Sequence, residues 1–419
     1  MPGNDSTNYN SNKKNFCRHP CFNNYDFHHA MIHLPVAGEY NVFFHRILQE
    51  KGQLSGICGE NSSELLTPYE AVDRVQQAQK SIPNLTVAAI AGPGEVLADF
   101  ESAKETLRLI RQSYPQMLLC LATNGLMLPV YAYHLISLGV NYVTVNMHTI
   151  SPETGDKLYD HITYLGRHYT GIEGANILLQ NQISGMSYLS SMGISVRMNI
   201  LVMKDVNEQE ICDMVYLAKE CGCKMTNIVL PSMNNKDDFN GLNTYSNDEI
   251  GYLRRECEKI MPQSYFCKPC NSATVETLNT RFAIDFRDPG KGSAVKLQGE
   301  VPHYRFAVCS KTGILIDEHF GHATNFYIYD VRDGFVTFLE TRPTEQYAQG
   351  TKEDKAAGRV YKLIKAIEDC NCVVCMRIGA CPSDALREKN IDIYTTYNLI
   401  EDGLKEAVLR LYTGPAVNL

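Results

Sequence analysis

The chain has 419 residues, 44% of them apolar, and a formal net charge of −8. That length is enough for two domains, and the acid excess argues against a general nucleic-acid binder. No apolar run is long enough to span a bilayer without interruption, and no charged, apolar, small-residue signal opens the chain. The expectation is a cytoplasmic protein with no membrane partner.

The fifteen cysteines are the compositional anomaly. Without an export signal a chain of this size does not need disulfides, so closely spaced cysteines point to metal ligation or redox chemistry. A single cysteine reads as a small core hydrophobe.

Residues 1–14 are rich in Asn, Ser and Lys with almost nothing to bury, which predicts a disordered leader. Cys17-Arg-His19-Pro-Cys21 follows, and then His28, His29 and His33. Cysteine and histidine at this density suit iron or zinc, the alternative being a loop with surface histidines. Residues 32–37 read as a first strand. Residues 68–80 read as a helix, with Thr67 as N-cap and Pro68 in its first position.

From there strands and helices alternate. Strands are expected at 85–91, 117–122, 142–147, 195–202 and 225–231, with helices at 99–113, 128–139, 177–192 and 207–220. Strands spaced by helices of this length predict a parallel sheet, closed or partly closed into a barrel. Such folds place their sites at the carboxyl ends of the strands. Here the strand beginning at Thr86 stops abruptly in Gly92-Pro93-Gly94-Glu95, where glycine backbone permits close approach of a ligand. Comparable polar strand ends follow at Thr123-Asn124-Gly125 and Thr144-Val145-Asn146.

Cys267-x2-Cys270 has the spacing of a metal ligand pair or a redox dithiol, whereas Cys221 and Cys223 follow a helix and read as structural. Residues 271–304 lack periodicity and read as a linker. A second α/β unit starts at Arg305, with strands at 306–310 and 372–376, a turn running into another strand over 321–330, and a helix at 360–367.

Taken together, His19-Pro-Cys21-Phe-Asn, His33-Leu-Pro-Val-Ala, Ala91-Gly-Pro-Gly-Glu95, Leu119-Cys120-Leu-Ala-Thr-Asn-Gly, Tyr164-Leu-Gly-Arg-His-Tyr-Thr-Gly171 and Cys267-Lys-Pro-Cys270 resemble the NifB family of nitrogenase cofactor maturases, in the same order. Those are radical S-adenosylmethionine enzymes. The resemblance implies an α/β fold: a partial (βα) barrel of the radical SAM type over 15–275, a linker over 276–304, and a ribonuclease H-like domain over 305–419. That second domain is similar to the NifX-like cofactor-binding domain, down to Glu318-His-Phe-Gly-His322 and Cys375-x2-Ile378-Gly-x-Cys381-Pro. His319 and His322 flank a turn glycine that Cys375 and Cys381 could approach, and such ligands suit an iron–sulfur cargo.

By position, the resemblance implies that Gly92, Gly94, Glu95, Thr123, Asn124, Thr144, Asn146 and Asn199 face S-adenosylmethionine. It implies that Cys21, Cys267 and Cys270 hold one substrate [4Fe-4S] cluster and that Cys120 serves another, with His19 a further metal candidate. The implied partners are iron–sulfur cluster donors and nitrogenase cofactor carrier or scaffold proteins.

One departure outweighs these agreements. After His-Leu-Pro-Val-Ala the family carries Cys-x3-Cys-x2-Cys, whose thiolates hold the [4Fe-4S] cluster that reductively cleaves S-adenosylmethionine. An ungapped reading places Tyr40, Phe44 and Ile47 at those positions, with His45 and Cys58 nearby. True decay, an altered activity and a corrupted reading frame all account for this. Three functions therefore stand: a lyase-type maturase that fuses two clusters and inserts carbide, an inactive cluster scaffold or carrier, and a decayed paralogue that folds but binds little.

Overall fold

The computed structural model describes residues 18–24, 28–45, 64–230, 245, 247–265, 267, 274–277, 281–283, 295–297, 303–332, 335–344 and 356–413. The expected leader, Cys17, Ile47, Cys58 and Cys270 lie outside the described residues.

The chain opens with β1 (Ala30–Leu34) and β2 (Val42–Phe44), then α1 (Pro68–Ser81) and β3 (Leu85–Ile90). Thr67 closes a capping box on α1: its Oγ1 accepts from Glu70 N at 3.3 Å, and a Glu70 carboxylate oxygen accepts from Thr67 N at 2.8 Å. Next come α2 (Phe100–Ser113), β4 (Leu118–Thr123), α3 (Leu128–Ser137) and β5 (Tyr142–Asn146). On α2 the buried Phe100, Ala103, Leu107 and Ile110 recur at helical spacing and form the stripe that faces the sheet.

A short helix α4 (Pro152–Leu158) leads into the hairpin β6 (Tyr159–Tyr164) and β7 (Arg167–Tyr169). Its two turn residues, Leu165 and Gly166, both have positive φ, 49° and 74°, as a tight two-residue hairpin turn requires. Helix α5 (Gly171–Ser191) starts six residues earlier than the apolar pattern predicts, and β8 (Ser195–Leu201) follows. Helix α6 (Ile211–Glu220) begins after a 3₁₀ turn at 208–210, and β9 (Met225–Val229) and α7 (Asn247–Glu258) complete the alternation.

Strands β1, β3, β4, β5, β8 and β9 pair in parallel in that order, and β1 does not meet β9. The result is a curled, open half-barrel, as expected of the radical SAM type. Side chains alternate across it. Ile32, Leu34, Ala88, Ile90, Leu119, Leu121, Val143 and Val196 pack outward in one core with the helices. Met31, Val87, Ala89, Cys120, Tyr142 and Met225 pack together on the other face.

The stretch expected to be a linker is different. Three short strands, β10 (Thr274–Glu276), β11 (Arg281–Ala283) and β12 (Val295–Leu297), continue the barrel sheet antiparallel from the edge of β1. Three-residue strands are too short to show an alternating pattern, and the pairing with β1 defines them.

The second sheet contains β13 (His303–Cys309), β14 (Asn325–Arg332) and β15 (Phe335–Pro343). It is completed by α8 (Ala356–Lys365), β16 (Cys372–Cys375), α9 (Ala380–Glu388), β17 (Asp392–Thr395) and α10 (Ile400–Thr413). The order is β15-β14-β13-β16-β17, antiparallel up to β13 and parallel beyond it. This is the ribonuclease H-like arrangement expected. Among the described residues no helix is long and apolar enough to cross a membrane.

Candidate functional site

A cleft of about 540 Å³ opens at the carboxyl ends of the barrel strands. Gly94, Glu95, Asn124 and Asn146 line it, together with His148 and Gln182. The remaining wall is aromatic and aliphatic, from Tyr40, Val42, Phe44, Tyr159 and Leu178.

The Gly-Pro-Gly end of β3 is fixed by backbone pairing with residues 37–39. Ala37 N donates to Gly92 O at 3.2 Å, Gly94 N to Ala37 O at 2.7 Å, and Glu95 N to Glu39 O at 2.7 Å. A Cβ on Gly94 would collide with Glu39 O and the Gly38 carbonyl carbon. Gly94 thus makes room for another part of the chain, beyond the ligand approach expected from the sequence. Gly92 adopts a left-handed φ of 64° at the bend.

Glu95 is turned inward, 7% exposed. Its Oε1 accepts from Leu97 N at 3.0 Å and from the Thr123 hydroxyl, and its Oε2 accepts from Asn124 N at 2.6 Å. Burial pushes its pKa above the ordinary carboxyl value, and the three donors pull it partly back. Thr123 therefore stands behind Glu95 rather than on the cleft wall.

Below the cleft, three asparagines on adjacent strands bond in sequence. Asn227 Nδ2 donates to Asn199 Oδ1 at 2.6 Å, and Asn199 Nδ2 donates to Asn146 Oδ1 at 2.9 Å. Thr144 is buried two residues below Asn146 on β5. Gln182, from α5, donates to Asn124 O at 2.8 Å and Asn146 O at 3.1 Å, joining two strand ends.

His148 was not singled out by sequence reasoning, because a lone histidine after a strand carries no signal. Its Nδ1 accepts from Leu201 N at 3.2 Å, which puts the ring proton on Nε2. Burial lowers its pKa to about 4, so the ring is neutral near pH 7. Tyr159, Leu178 and Gln182 also went unnoticed; the small sheet that β2 forms with β6 and β7 helps assemble this wall.

Tyr40 and Phe44, the residues in place of two of the expected cysteines, both reach the cleft. The Tyr40 hydroxyl donates to Pro93 O at 2.8 Å. The Phe44 ring lies 5.1 Å from Tyr159 and 5.9 Å from His148. No thiol lines the cleft among the described residues.

The expected metal ligands His19, Cys21 and Cys120 gather on the inner face of the barrel, away from that cleft. Cys120 packs in the inner cluster with Phe22 and Tyr142, and Cys21 packs against it. His19 is fully buried, 4.9 Å from the Phe22 ring and 4.7 Å from that of Tyr142. Its Nδ1 accepts from Cys21 N at 3.1 Å, and its buried Nε2 has no hydrogen-bond partner. Burial, reinforced by Arg197 and His33, holds His19 well below its ordinary pKa.

The Asn24 side chain ties the segment just before Cys267 to the segment just after Cys21. Asn24 Nδ2 donates to Gln263 O at 2.6 Å, and Tyr265 N donates to Asn24 Oδ1 at 3.1 Å. The segment carrying Cys21 is thus bound to the one carrying Cys267. Among the described residues, no three His, Cys, Asp or Glu side chains meet closely enough to hold a metal ion. Cys221 and Cys223 are buried in the helix-facing core, in keeping with a structural role.

In the second sheet unit the rings of His319 and His322 lie 5.0 Å apart, and His319 Nδ1 accepts from Gly321 N at 3.1 Å. The segment that follows Cys375 does meet this turn: Met376 N donates to Glu318 O at 3.0 Å and Phe320 N donates to Arg377 O at 2.9 Å. Cys375 is fully buried on β16, and Cys381 is exposed in the first turn of α9.

Residues 302–413 match the family described as Dinitrogenase iron-molybdenum cofactor. The FeMo cofactor biosynthesis protein NifB of Chlorobaculum tepidum is 29% identical over 405 residues, covering 96% of this chain and 93% of its own. The solved structure titled native anSMEcpe with bound AdoMet aligns with a TM-score of 0.39 and 11% identity, over 61% of this chain and 74% of that one. The FeMo cofactor biosynthesis protein NifB of Klebsiella pneumoniae is 30% identical over 403 residues, covering 89% of this chain and 86% of its own. With that identity across nearly the whole of both chains, the protein belongs to the family of FeMo cofactor biosynthesis proteins NifB.

Proposed function

We propose that this protein is a NifB-family scaffold or carrier of iron–sulfur precursors for nitrogenase cofactor assembly, without the radical step. The observation that carries this reading is the presence of Tyr40 and Phe44 on the cleft wall where thiols are needed. A [4Fe-4S] cluster is held by cysteine thiolates. A phenol already donating to Pro93 O and a phenyl ring packed on Tyr159 do not replace them. The residues present do not fit that resident cluster, and the carrier role involves no reductive cleavage.

S-adenosylmethionine is a different matter. Gly94, Glu95, Asn124 and Asn146 line the cleft, Thr123 bonds to Glu95 and Asn199 to Asn146 from behind, and Gly92 and Thr144 are proposed to complete the set. A buried carboxylate and strand-end amides are groups that a nucleoside–amino acid would use. The proposal is that S-adenosylmethionine binds there uncleaved.

The cargo would be iron–sulfur clusters held by Cys21 and Cys267, with Cys270, and by Cys120. Support comes from the shared inner-face cluster, the unpartnered His19 Nε2 beside it, and the Asn24 tie. Partners would be cluster donors on one side and cofactor carriers on the other. The competing reading is the complete maturase, which fuses two [4Fe-4S] clusters and inserts carbide.

The test is anaerobic reconstitution with iron and sulfide, reduction, and EPR with and without S-adenosylmethionine. Cluster signals indifferent to S-adenosylmethionine are expected. A [4Fe-4S]⁺ signal that shifts on its addition would overturn the carrier reading and restore the maturase. Replacing Cys267 and Cys270 by Ala should lower bound iron, and placing Cys at positions 40, 44 and 47 should create cleavage of S-adenosylmethionine.

A further inference from the structure

His148, which follows β5 and lies 2% exposed on the cleft wall, is held from two sides. The fully buried Asn207 donates from Nδ2 to His148 O at 2.7 Å, and Leu201 N donates to His148 Nδ1 at 3.2 Å. The loop beyond it is fixed by Glu210, whose Oε2 accepts from Ile150 N at 2.8 Å and from the Thr149 hydroxyl at 2.5 Å. With Nδ1 taken, the ring hydrogen sits on Nε2 at the opposite edge. Among the described residues no group accepts it.

We propose that the cleft takes a purine nucleoside without a phosphate, and that His148 reads the base by donating its Nε2 hydrogen to a ring nitrogen. This rests on the reading that places S-adenosylmethionine in the cleft, and it makes the adenosine part the portion that is recognised.

Three features set the ligand class. The wall beside His148 is aromatic: the Phe44 ring lies 5.9 Å from His148 and 5.1 Å from Tyr159, and flat faces of this kind take a flat heterocycle. The Asn146 amino group supplies a second hydrogen at the rim, since its Oδ1 accepts from Asn199 Nδ2 at 2.9 Å. Two fixed donors suit a base whose ring nitrogens accept. Among the described residues that line the cleft there is no Lys or Arg, so a phosphate would lose its water there without gaining a counter-charge. The donor is also steady, because burial lowers the His148 pKa to about 4 and the ring keeps one hydrogen near neutral pH. A histidine that only packs would hold Leu201 and Asn207 equally well and be indifferent to the ligand.

The experiment measures binding of adenosine, AMP, S-adenosylmethionine and the 1-deaza, 3-deaza and 7-deaza analogues of adenosine to the full-length protein by calorimetry. One ring nitrogen carries the bond, so one analogue should bind about 3- to 10-fold more weakly than adenosine, as the loss of one neutral hydrogen bond implies. In His148→Phe that analogue should bind as adenosine does. Adenosine should bind more tightly than AMP. Analogues that all match adenosine, a penalty that persists in His148→Phe, or tighter binding of AMP would each overturn the inference. If S-adenosylmethionine binds while the analogues show no such pattern, only this inference falls. If neither it nor adenosine binds, the nucleoside reading of the cleft falls as well. Should His148→Phe fail to fold, the imidazole resonances of the unsubstituted protein, carrying nitrogen-15-labelled histidine, decide. One Nε2 hydrogen should then move farther downfield with saturating adenosine than with the weakened analogue, and equal shifts would overturn the inference.

Discussion

Asn24 and Tyr265, separated by 241 positions in sequence, are held together by one side chain. Asn24 accepts from Tyr265 N at 3.1 Å while donating to Gln263 O at 2.6 Å. This tie joins the segment after Cys21 to the segment before Cys267. Asn24→Ala removes both bonds and leaves a backbone donor and acceptor to find water. The expected cost is about 1–3 kcal/mol, read as a lowered urea midpoint. An unchanged midpoint would mean that the two segments are held by other contacts.

Gly94 allows residues 38 and 39 to lie against the end of β3. Gly94→Ala should separate them, because the obstructing atoms are backbone and cannot rotate away. Destabilisation of about 1–3 kcal/mol is expected in chemical denaturation. A neutral result would show that the clasp yields without cost.

The raised pKa of Glu95 has a definite sign. Its unfolded carboxyl ionises near 4.5 and its folded carboxyl at higher pH, so within that interval the folded state binds more protons. Stability from this group therefore falls as pH rises above about 4.5, until the folded carboxyl has ionised. Glu95→Gln lacks the titration, so its stability relative to the unsubstituted protein should improve with rising pH across that interval. Parallel stability–pH curves would contradict this.

For His148 the direction is reversed. The folded ring protonates only near 4 and the unfolded ring near 6.5, so acidification between those values favours the unfolded chain. The loss is on the order of 3 kcal/mol by the lower limit of that interval. His148→Gln retains an acceptor for Leu201 N but does not titrate, and its stability should vary less with pH below 6.5. An equally steep curve for the variant would assign the acid sensitivity to other groups.

The barrel strands were readable because each buries one face under helices and turns the other inward, so that apolar patterning and glycine ends marked them. Strands β10 to β12 were not readable, since three residues give no period and only the edge of β1 defines them. Residues 171–176 of α5 were missed for another reason. Gly171 and Gly174 interrupt the apolar pattern, and a Cβ at Gly174 would press on Tyr169 O. At the cleft, Gly94, Glu95, Asn124 and Asn146 could be named from their strand ends. His148, Tyr159 and Gln182 could not, because tertiary folding alone brings a loop, a hairpin and a helix to one rim.

The three asparagines beneath the cleft share a single direction. Each amide that donates to the next leaves it no freedom to turn over alone, because a reversed Asn199 would set oxygen against oxygen at Asn146 and amino group against amino group at Asn227. Asn146 already accepts through its oxygen, so what it offers at the rim is its amino group. The His148 ring, accepting from Leu201 N, likewise keeps its hydrogen on the other nitrogen. At these two positions polarity is therefore fixed: a carbonyl, carboxylate or ring nitrogen meets a hydrogen, whereas an amino group set against Asn146 would require the whole row to reverse.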